Sequence, residues 1–131
     1  MKNFNQHKFE NLINNQIYTV GNDLVFLPDF YPLLTPEFIA KVYSSKEIAY
    51  CQQFEDSRLR FASTWAAKEA VYKALKQQFN QSIFLGKIEI LREKPSGKPR
   101  VILPNSFSNN SVSLTISHDG EYVWALALVK T

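Results

Sequence analysis

The most constraining feature of the sequence is a stretch of residues, 57–78, that contains neither glycine nor proline. The helix formers Ala, Lys, Glu, Leu and Gln dominate it, and apolar residues recur at spacings of three to four, as an amphipathic α-helix requires. Phe61, Trp65 and Tyr72 mark one side of this helix. We therefore predict one long helix, and the rest of the chain must be arranged around it.

The flanking segments predict strands and a second helix. Residues 17–27 are rich in β-branched and apolar types, which favours a buried strand, and Thr35-Pro36-Glu37 is a typical helix start, with the helix continuing to about Phe54. Four later strands are predicted at 87–91, 101–103, 111–117 and 122–130, with a hairpin between the first two, a polar loop at 104–111 and a turn-rich loop at 118–121. This order predicts an α+β fold in which the aromatic face of the long helix packs across an antiparallel sheet.

Length and composition indicate one domain. A chain of 131 residues, 45% of them hydrophobic, is long enough to bury a real core. We expect a polar N-terminal extension at 1–16, followed by a single domain at 17–131. The single cysteine, Cys51, excludes an internal disulfide and has no clustered ligands for zinc, so we expect a reducing cytoplasm.

The charge and motif content narrow the classes of partner. The net charge of +3 favours an acidic partner or a phosphate-rich ligand. Lys and Arg are scattered and form no stripe, so we expect no nucleic acid, and no segment approaches the roughly 20 apolar residues of a membrane span. Neither a P-loop nor a dinucleotide-binding fingerprint is present, so any phosphate site must be built differently.

A carboxylate and an ammonium lie on one face of the long helix. Glu69 and Lys73 are four residues apart, and the small residues Ala62 and Ala66 precede them on the same side. An alanine-lined groove could hold a metal ion and an anionic ligand side by side. An ordinary surface ion pair between Glu69 and Lys73 is the alternative.

Asp23 interrupts the apolar run of the first strand. An ionised carboxylate is costly to bury unless it is paired or bound to a metal ion. If the strand passes beside the long helix, Asp23 and Glu69 could share one Mg²⁺, which takes one or two carboxylates together with water and phosphate. Alternatively, Asp23 lies at a strand end or accepts backbone hydrogen bonds after Gly21.

The segment T-I-S-H-D, residues 115–119, suggests a Ser-His-Asp triad only superficially. Triad members meet from separate positions, whereas consecutive residues leaving a strand point in diverging directions. His118, just past the predicted strand, is either a turn residue or a ligand contact.

Three motifs together resemble the holo-acyl-carrier-protein synthase type of 4′-phosphopantetheinyl transferase. They are V-G-N-D at 20–23, W-A-A-K-E-A-V-Y-K-A at 65–74 and T-I-S-H-D at 115–119, and their order and spacing match over residues 17–130. The K-E-A-x-x-K-A helix is the most specific of them, and S-G-K-P at 96–99 resembles a hairpin of the family.

The resemblance implies transfer of phosphopantetheine from coenzyme A to a serine of an apo acyl carrier protein, with release of adenosine 3′,5′-bisphosphate. Asp23 and Glu69 match the family's Mg²⁺ ligands, and Lys73 matches the lysine that faces the phosphates. These three residues are the implied catalytic group. The general base is open between a metal-associated water and a carboxylate acting through water.

The resemblance also implies binding residues and partners. Lys68, Lys73 and His118 match positions near the coenzyme, while Lys98 and Pro99 match the hairpin that approaches its adenine end. Similar short enzymes are homotrimers with active sites between subunits, and they act on acidic acyl carrier proteins in fatty acid biosynthesis and related pathways.

The sequence departs from the family pattern at several positions. The first predicted helix carries Lys41 and Lys46 but no arginine, Ser63-Thr64 replaces a Gly-Arg pair, and Thr19 stands where glycine is common. Lysine does not reproduce the bidentate fork of arginine. These changes affect the surface expected to bind the carrier protein and part of the set of residues expected to bind the phosphates.

Two other functional hypotheses follow from these departures. A degenerate family member could bind coenzyme A or a carrier protein without efficient transfer, although Arg58 and Arg60 are available near the changed positions. An unrelated α+β interaction domain would require the joint motif match to be accidental.

Overall fold

A three-stranded antiparallel sheet and a long helix laid across one of its faces form the centre of the fold, as predicted. The structure, a computed structural model, describes residues 17–92, 97–107 and 110–130. The predicted N-terminal extension therefore lies outside the described residues. The elements are β1 Tyr18–Phe26, α1 Leu27–Phe30, α2 Pro36–Val42, α3 Ser45–Cys51, α4 Ser57–Lys76, β2 Glu89–Arg92, β3 Pro99–Ile102, β4 Ser111–Asp119 and β5 Tyr122–Lys130. None of the helices in these ranges has the length and apolarity that a membrane span requires.

The sheet has the strand order β1-β5-β4, with β5 in the centre. β1 pairs with β5 along its whole length, from Tyr18 opposite Lys130 to Phe26 opposite Tyr122. Alternate residues of β5 are fully buried, namely Val123, Ala125, Ala127 and Val129. β2 and β3 form the predicted hairpin as a separate two-stranded sheet.

The long helix α4 begins at Ser57 as predicted, with the Asp56 carboxylate accepting the Leu59 N–H at the N-terminus. It packs its alanines against the sheet, because Ala62, Ala66, Ala70 and Ala74 are all fully buried. Such small side chains let the helix backbone lie close to β1.

Gly21 and Thr19 of β1 make this close packing possible. A Cβ at Gly21 would overlap the Ala70 carbonyl oxygen and lie 2.6 Å from the Ala74 nitrogen. The Thr19 hydroxyl donates to the Ala74 carbonyl at 2.8 Å. Glycine is therefore required at position 21, and Thr19, where the family often has glycine, joins strand to helix.

The prediction that the aromatic face of α4 packs on the sheet is wrong. The Trp65 ring lies 6.1 Å from that of Phe30 and 5.3 Å from that of Phe38, and the Phe61 ring lies 4.9 Å from that of Tyr43. Trp65 and Phe61 instead contact the segment of short helices between β1 and α4, and Tyr72 lines the cleft beside Glu69. Periodicity identified the two sides of the helix but not their partners.

The single helix predicted from Thr35 to about Phe54 is two helices, α2 and α3. The Thr35 hydroxyl accepts the Phe38 N–H and begins α2. Tyr43 is extended, and Ser44 forms a capping box with Glu47 that begins α3. A serine side chain that can cap a new helix competes with continuing the old one.

The loop predicted at 118–121 is shorter than expected. β4 continues through His118 and Asp119, which pair with Val123 and Tyr122. Only Gly120 and Glu121 form the turn, and Gly120 has a φ of +57°, which glycine adopts readily. His118 is thus a strand residue near the hairpin end.

Candidate active site

Asp23 lies in the interior of β1, opposite Ala125 of β5, so the predicted alternative of a strand end does not apply. Its side chain is 14% exposed, and its Oδ1 accepts a hydrogen bond from the Lys73 ammonium at 2.9 Å. The same ammonium donates to the Asn22 carbonyl at 3.1 Å. An ion pair therefore joins β1 to α4 and offsets the cost of burying the carboxylate.

Glu69 lies one helical turn before Lys73 and is half-buried. Burial raises the pKa of the Glu69 carboxyl from its ordinary value, the negative charge of Asp23 raises it further, and the positive charge of Lys73 lowers it. The two carboxylates, distant in sequence, thus interact electrostatically across the junction of strand and helix. Lys73 directs its ammonium to Asp23 and bridges to β1 instead of forming a simple surface pair with Glu69.

The open space beside Glu69 is not the predicted alanine-lined groove. Ala62 and Ala66 are fully buried in the core cluster that includes Val123 and Ala125 of the sheet. A cleft of about 460 Å³ lies on the aromatic side of the helix and is lined by Phe38, Lys41, Val42, Trp65, Glu69, Tyr72, Ile83, Phe84, Leu85 and Gly86. Glu69 therefore stands at the edge of a mainly apolar cleft.

The donor set fits Mg²⁺. Asp23 and Glu69 offer carboxylate oxygens, and Mg²⁺ uses one or two carboxylates with water and substrate phosphates at its remaining positions. Over the described ranges no group of three or more His, Cys, Asp or Glu residues could hold a metal ion, so a site at Asp23 and Glu69 would have these two carboxylates alone as acidic ligands. The electrostatic repulsion that raises the pKa of Glu69 is the kind that a divalent cation relieves.

The structure brings Lys98, Pro99 and His118 to one cleft. This second cleft, of about 490 Å³, lies between the β2–β3 hairpin, β4 and α4. His118 Nε2 is 3.0 Å from the Gly120 carbonyl oxygen. None of these three residues shares a cleft with Glu69, so one chain carries two separate groups of predicted site residues.

Lys68 does not reach either cleft. Its side chain is fully buried, and its ammonium donates to Glu47 Oε1 at 2.6 Å, while Glu47 Oε2 accepts the Ile90 N–H at 2.8 Å. Burial lowers the pKa of Lys68, and the Glu47 carboxylate opposes that shift. The expected coenzyme contact does not fit this position, because a side chain enclosed between α3, α4 and β2 has no surface for a ligand.

Ser63 and Thr64, which replace the Gly-Arg pair of the family pattern, both contact Arg92. The sequence did not predict this contact. Arg92 at the end of β2 donates through Nη2 to the Ser63 hydroxyl at 3.3 Å and to the Thr64 hydroxyl at 3.2 Å. Arg58 and Arg60 lie over the rings of Tyr31 and Phe54, respectively. Arg92 directly follows the first strand of the predicted hairpin, where no local sequence pattern predicts a contact with α4.

The comparisons with known proteins agree with this fold. The family model of the 4′-phosphopantetheinyl transferase superfamily matches residues 19–127. A holo-[acyl-carrier-protein] synthase of Ehrlichia canis is 34% identical over 119 residues, which cover 86% of this chain and 94% of that protein. A fatty acid synthase alpha subunit, hexA, of Dothistroma septosporum is 35% identical over 118 residues, 84% of this chain but 7% of that subunit.

A solved structure supports the same assignment. The complex of a Chronobacterium ammoniagenes acyl-carrier-protein synthase with coenzyme A matches with a TM-score of 0.74 and 30% identity, over 86% of this chain and 96% of that one. The fold, the three motifs and these likenesses agree with one another. The chain belongs to the 4′-phosphopantetheinyl transferase superfamily and, within it, to the holo-[acyl-carrier-protein] synthase type.

Proposed function

We propose that this protein transfers the 4′-phosphopantetheine group of coenzyme A to a serine of an apo acyl carrier protein, giving holo carrier protein and adenosine 3′,5′-bisphosphate in a Mg²⁺-dependent reaction. The observation that carries the proposal is the meeting of Asp23, Glu69 and Lys73 where β1 crosses α4. In a phosphoryl-group transfer, catalysis consists mainly of positioning and charge stabilisation, which such a group can supply.

Asp23 and Glu69 are the residues that would hold the metal ion. Bound there, Mg²⁺ would neutralise charge on the diphosphate of the coenzyme. Lys73 has a side chain that is 49% exposed, so its ammonium can contact a phosphate oxygen while it remains near Asp23. The general base that accepts the serine proton is open between a water molecule on the metal ion and a carboxylate acting through water.

The carrier protein should be acidic. Lys41 of α2 is exposed and lines the cleft that contains Glu69, and Lys46 of α3 is exposed as well. The net charge of +3 favours a negatively charged partner, and these two exposed lysines offer it contacts on this side. We place the carrier over α2 and α3, with its serine directed toward Glu69.

An exposed apolar face supports a homotrimer. On the side of the sheet opposite α4, alternate residues of β1 and β5 are large, apolar and at least 36% exposed, namely Tyr18, Val20, Leu24, Phe26, Tyr122, Trp124 and Leu128. Leu24 lies opposite Trp124 and Val20 opposite Leu128, so the side chains form one continuous patch. Contiguous apolar patches of this kind mark protein interfaces.

Assembly would also complete the active site. Glu69 and His118 line different clefts, and no residue is common to the two linings. We propose that the cleft with His118 of one subunit faces the Asp23–Glu69 pair of its neighbour, so that one coenzyme molecule spans both. The site then lies between subunits of a homotrimer.

We propose the cytoplasm as the compartment and fatty acid synthesis as the pathway. Cys51 is a buried free thiol, which suits a reducing environment. The likeness to a fatty acid synthase subunit supports the pathway.

The test is direct transfer. The full chain is incubated with coenzyme A, Mg²⁺ and an apo acyl carrier protein, and the carrier is weighed by mass spectrometry. We expect the phosphopantetheine adduct with the wild type and its loss in Asp23→Asn and Glu69→Gln. The matched control is Asp29→Asn, because Asp29 is exposed on α1 and lines neither cleft. Coenzyme binding without product on several apo carriers would favour the degenerate binding module and reject the transferase.

A further inference from the structure

Arg92 holds a fixed guanidinium beside the helix α4. Its Nη2 is shared between the hydroxyls of Ser63 and Thr64, and its guanidinium carbon lies 5.2 Å from the centre of the Tyr50 ring. Both hydroxyls donate their own protons to helix carbonyls, the Thr64 hydroxyl to Arg60 at 2.9 Å. Each hydroxyl oxygen can therefore only accept a hydrogen bond from Arg92, and these two contacts fix the orientation of the Arg92 side chain.

Part of the donor capacity of Arg92 is unused. Its Nε is buried and has no hydrogen-bond partner within the described part of the chain. Leaving a buried charged donor unpaired costs more than leaving a neutral one. A ligand in the cleft cannot reach the buried Nε, so a phosphate group would contact the outer Nη edge of the guanidinium. A planar guanidinium can give a phosphate two parallel hydrogen bonds.

The surroundings of Arg92 are cationic. Arg60 and Lys98 line the same cleft of about 490 Å³, together with His118 and the hydroxyls of Thr115 and Ser117. No aspartate or glutamate is among the described residues that line it. Positive charge in a concave site focuses the field on an anionic ligand.

We propose that Arg92 binds the 3′-phosphate of coenzyme A. The inference rests on the proposed function, in which Asp23 and Glu69 hold the metal ion that binds the diphosphate of the coenzyme. Asp23 and Glu69 lie outside the cationic cleft. The cleft is therefore left to bind the other phosphate group of the coenzyme, the 3′-phosphate monoester. Ser63 and Thr64, at the positions where the family pattern has Gly-Arg, position this arginine from the neighbouring strand. Arg92 of β2 would thus contact the phosphate in place of the arginine that the family pattern has at position 64 of the helix.

A purely structural role for Arg92 predicts a different result. If its guanidinium only tied β2 to α4, its loss would weaken binding of every nucleotide by the same factor. If it contacts the 3′-phosphate, the loss affects only ligands that carry this group. Two ligands that differ in that one group therefore separate the roles.

The experiment measures binding by isothermal titration calorimetry on the full chain with adenosine 3′,5′-bisphosphate and with adenosine 5′-monophosphate. We expect the wild type to prefer the bisphosphate. Arg92→Gln should weaken bisphosphate binding about tenfold or more, the effect of losing a charge-assisted hydrogen bond, and should leave monophosphate binding nearly unchanged. Arg58→Gln is the matched control, since Arg58 lies over Tyr31 and outside the cleft.

Equal weakening for both ligands, or no weakening for either, overturns the inference. Circular dichroism checks that each variant is folded. Should Arg92→Gln not fold, Arg92→Lys keeps the charge without the fork and should weaken only the bisphosphate, and an equal effect on both ligands would again overturn the inference.

Transfer by the wild type is measured on the same preparation. Absent transfer with Arg92-dependent bisphosphate binding would reject the proposed function and keep this inference. Normal transfer, with bisphosphate binding that does not depend on Arg92, would support the proposed function and reject this inference.

Discussion

Gly21 sets how closely β1 approaches α4, and its substitution by alanine is the sharpest test of the packing that builds the site. The added Cβ would overlap the Ala70 carbonyl oxygen and lie 2.6 Å from the Ala74 nitrogen. Both atoms belong to the helix backbone, so neither can rotate away, and strand and helix must separate. Overpacking of this kind typically costs about 1–3 kcal/mol, and we expect Gly21→Ala at the upper end, about 3 kcal/mol.

The separation should also affect function, because Asp23 on the same strand meets Lys73 on the same helix. Urea denaturation at fixed protein concentration gives the free energy of unfolding, and mass spectrometry of the carrier gives the transfer rate under conditions where the variant is folded. We expect a clear fall in both quantities.

Gly86→Ala is the control. Its Cβ would meet the Phe84 ring edge at 2.8 Å and the Lys41 carbonyl oxygen at 3.0 Å. Since Phe84 is exposed and its ring can turn away, this variant should lose less stability than Gly21→Ala. If Gly21→Ala were as stable and as active as the wild type, the close contact of strand and helix would be refuted.

Three further predictions follow from charge and exposure. Burial and the charge of Asp23 raise the pKa of Glu69 from the ordinary value of 4.5, so ionisation of Glu69 destabilises the folded state. The contribution of Glu69 to the free energy of unfolding therefore falls as the pH rises from about 4.5 through the raised pKa. Glu69→Gln should therefore keep or increase thermal stability at pH 7 in the presence of a chelator, and a clearly lower melting temperature would contradict this. Lys68→Met leaves the Glu47 carboxylate buried without its ammonium and should cost about 3–5 kcal/mol in urea denaturation, with part recovered when Glu47→Gln is added; a cost below about 1 kcal/mol would mean that the pair is not enclosed. Leu24→Lys on the exposed sheet face should shift the mass in analytical ultracentrifugation from trimer to monomer, and an unchanged mass would argue against this face as the interface.

Local patterns were sufficient for the long helix, for most strands and for part of the site. α4 follows from helix formers without glycine or proline, and β5 from its alternation of residue types. Asp23 could be singled out because a carboxylate in an apolar strand needs a partner, and the structure supplies Lys73 as that partner. Motif spacing gave the family, which the comparisons confirm.

The rest depends on contacts between distant residues. Lys68 lies next to Glu69 in the K-E-A motif, but whether it faces ligand or core is decided by Glu47 of α3, which no local pattern pairs with it. The break before α3 was missed because Ser44 can either continue a helix or cap one. Arg92 was missed for the same reason as Glu47, since its hydroxyl partners lie on another element.

The most direct test of the account is the binding of Mg²⁺ itself, measured by isothermal titration calorimetry on the full chain with coenzyme A present. We expect the wild type to bind Mg²⁺ and both Asp23→Asn and Glu69→Gln to bind it at least about tenfold more weakly, because each variant removes a charged ligand. The control Asp29→Asn should bind Mg²⁺ as the wild type does. Unchanged Mg²⁺ affinity in the two site variants would contradict the claim that these carboxylates share one ion.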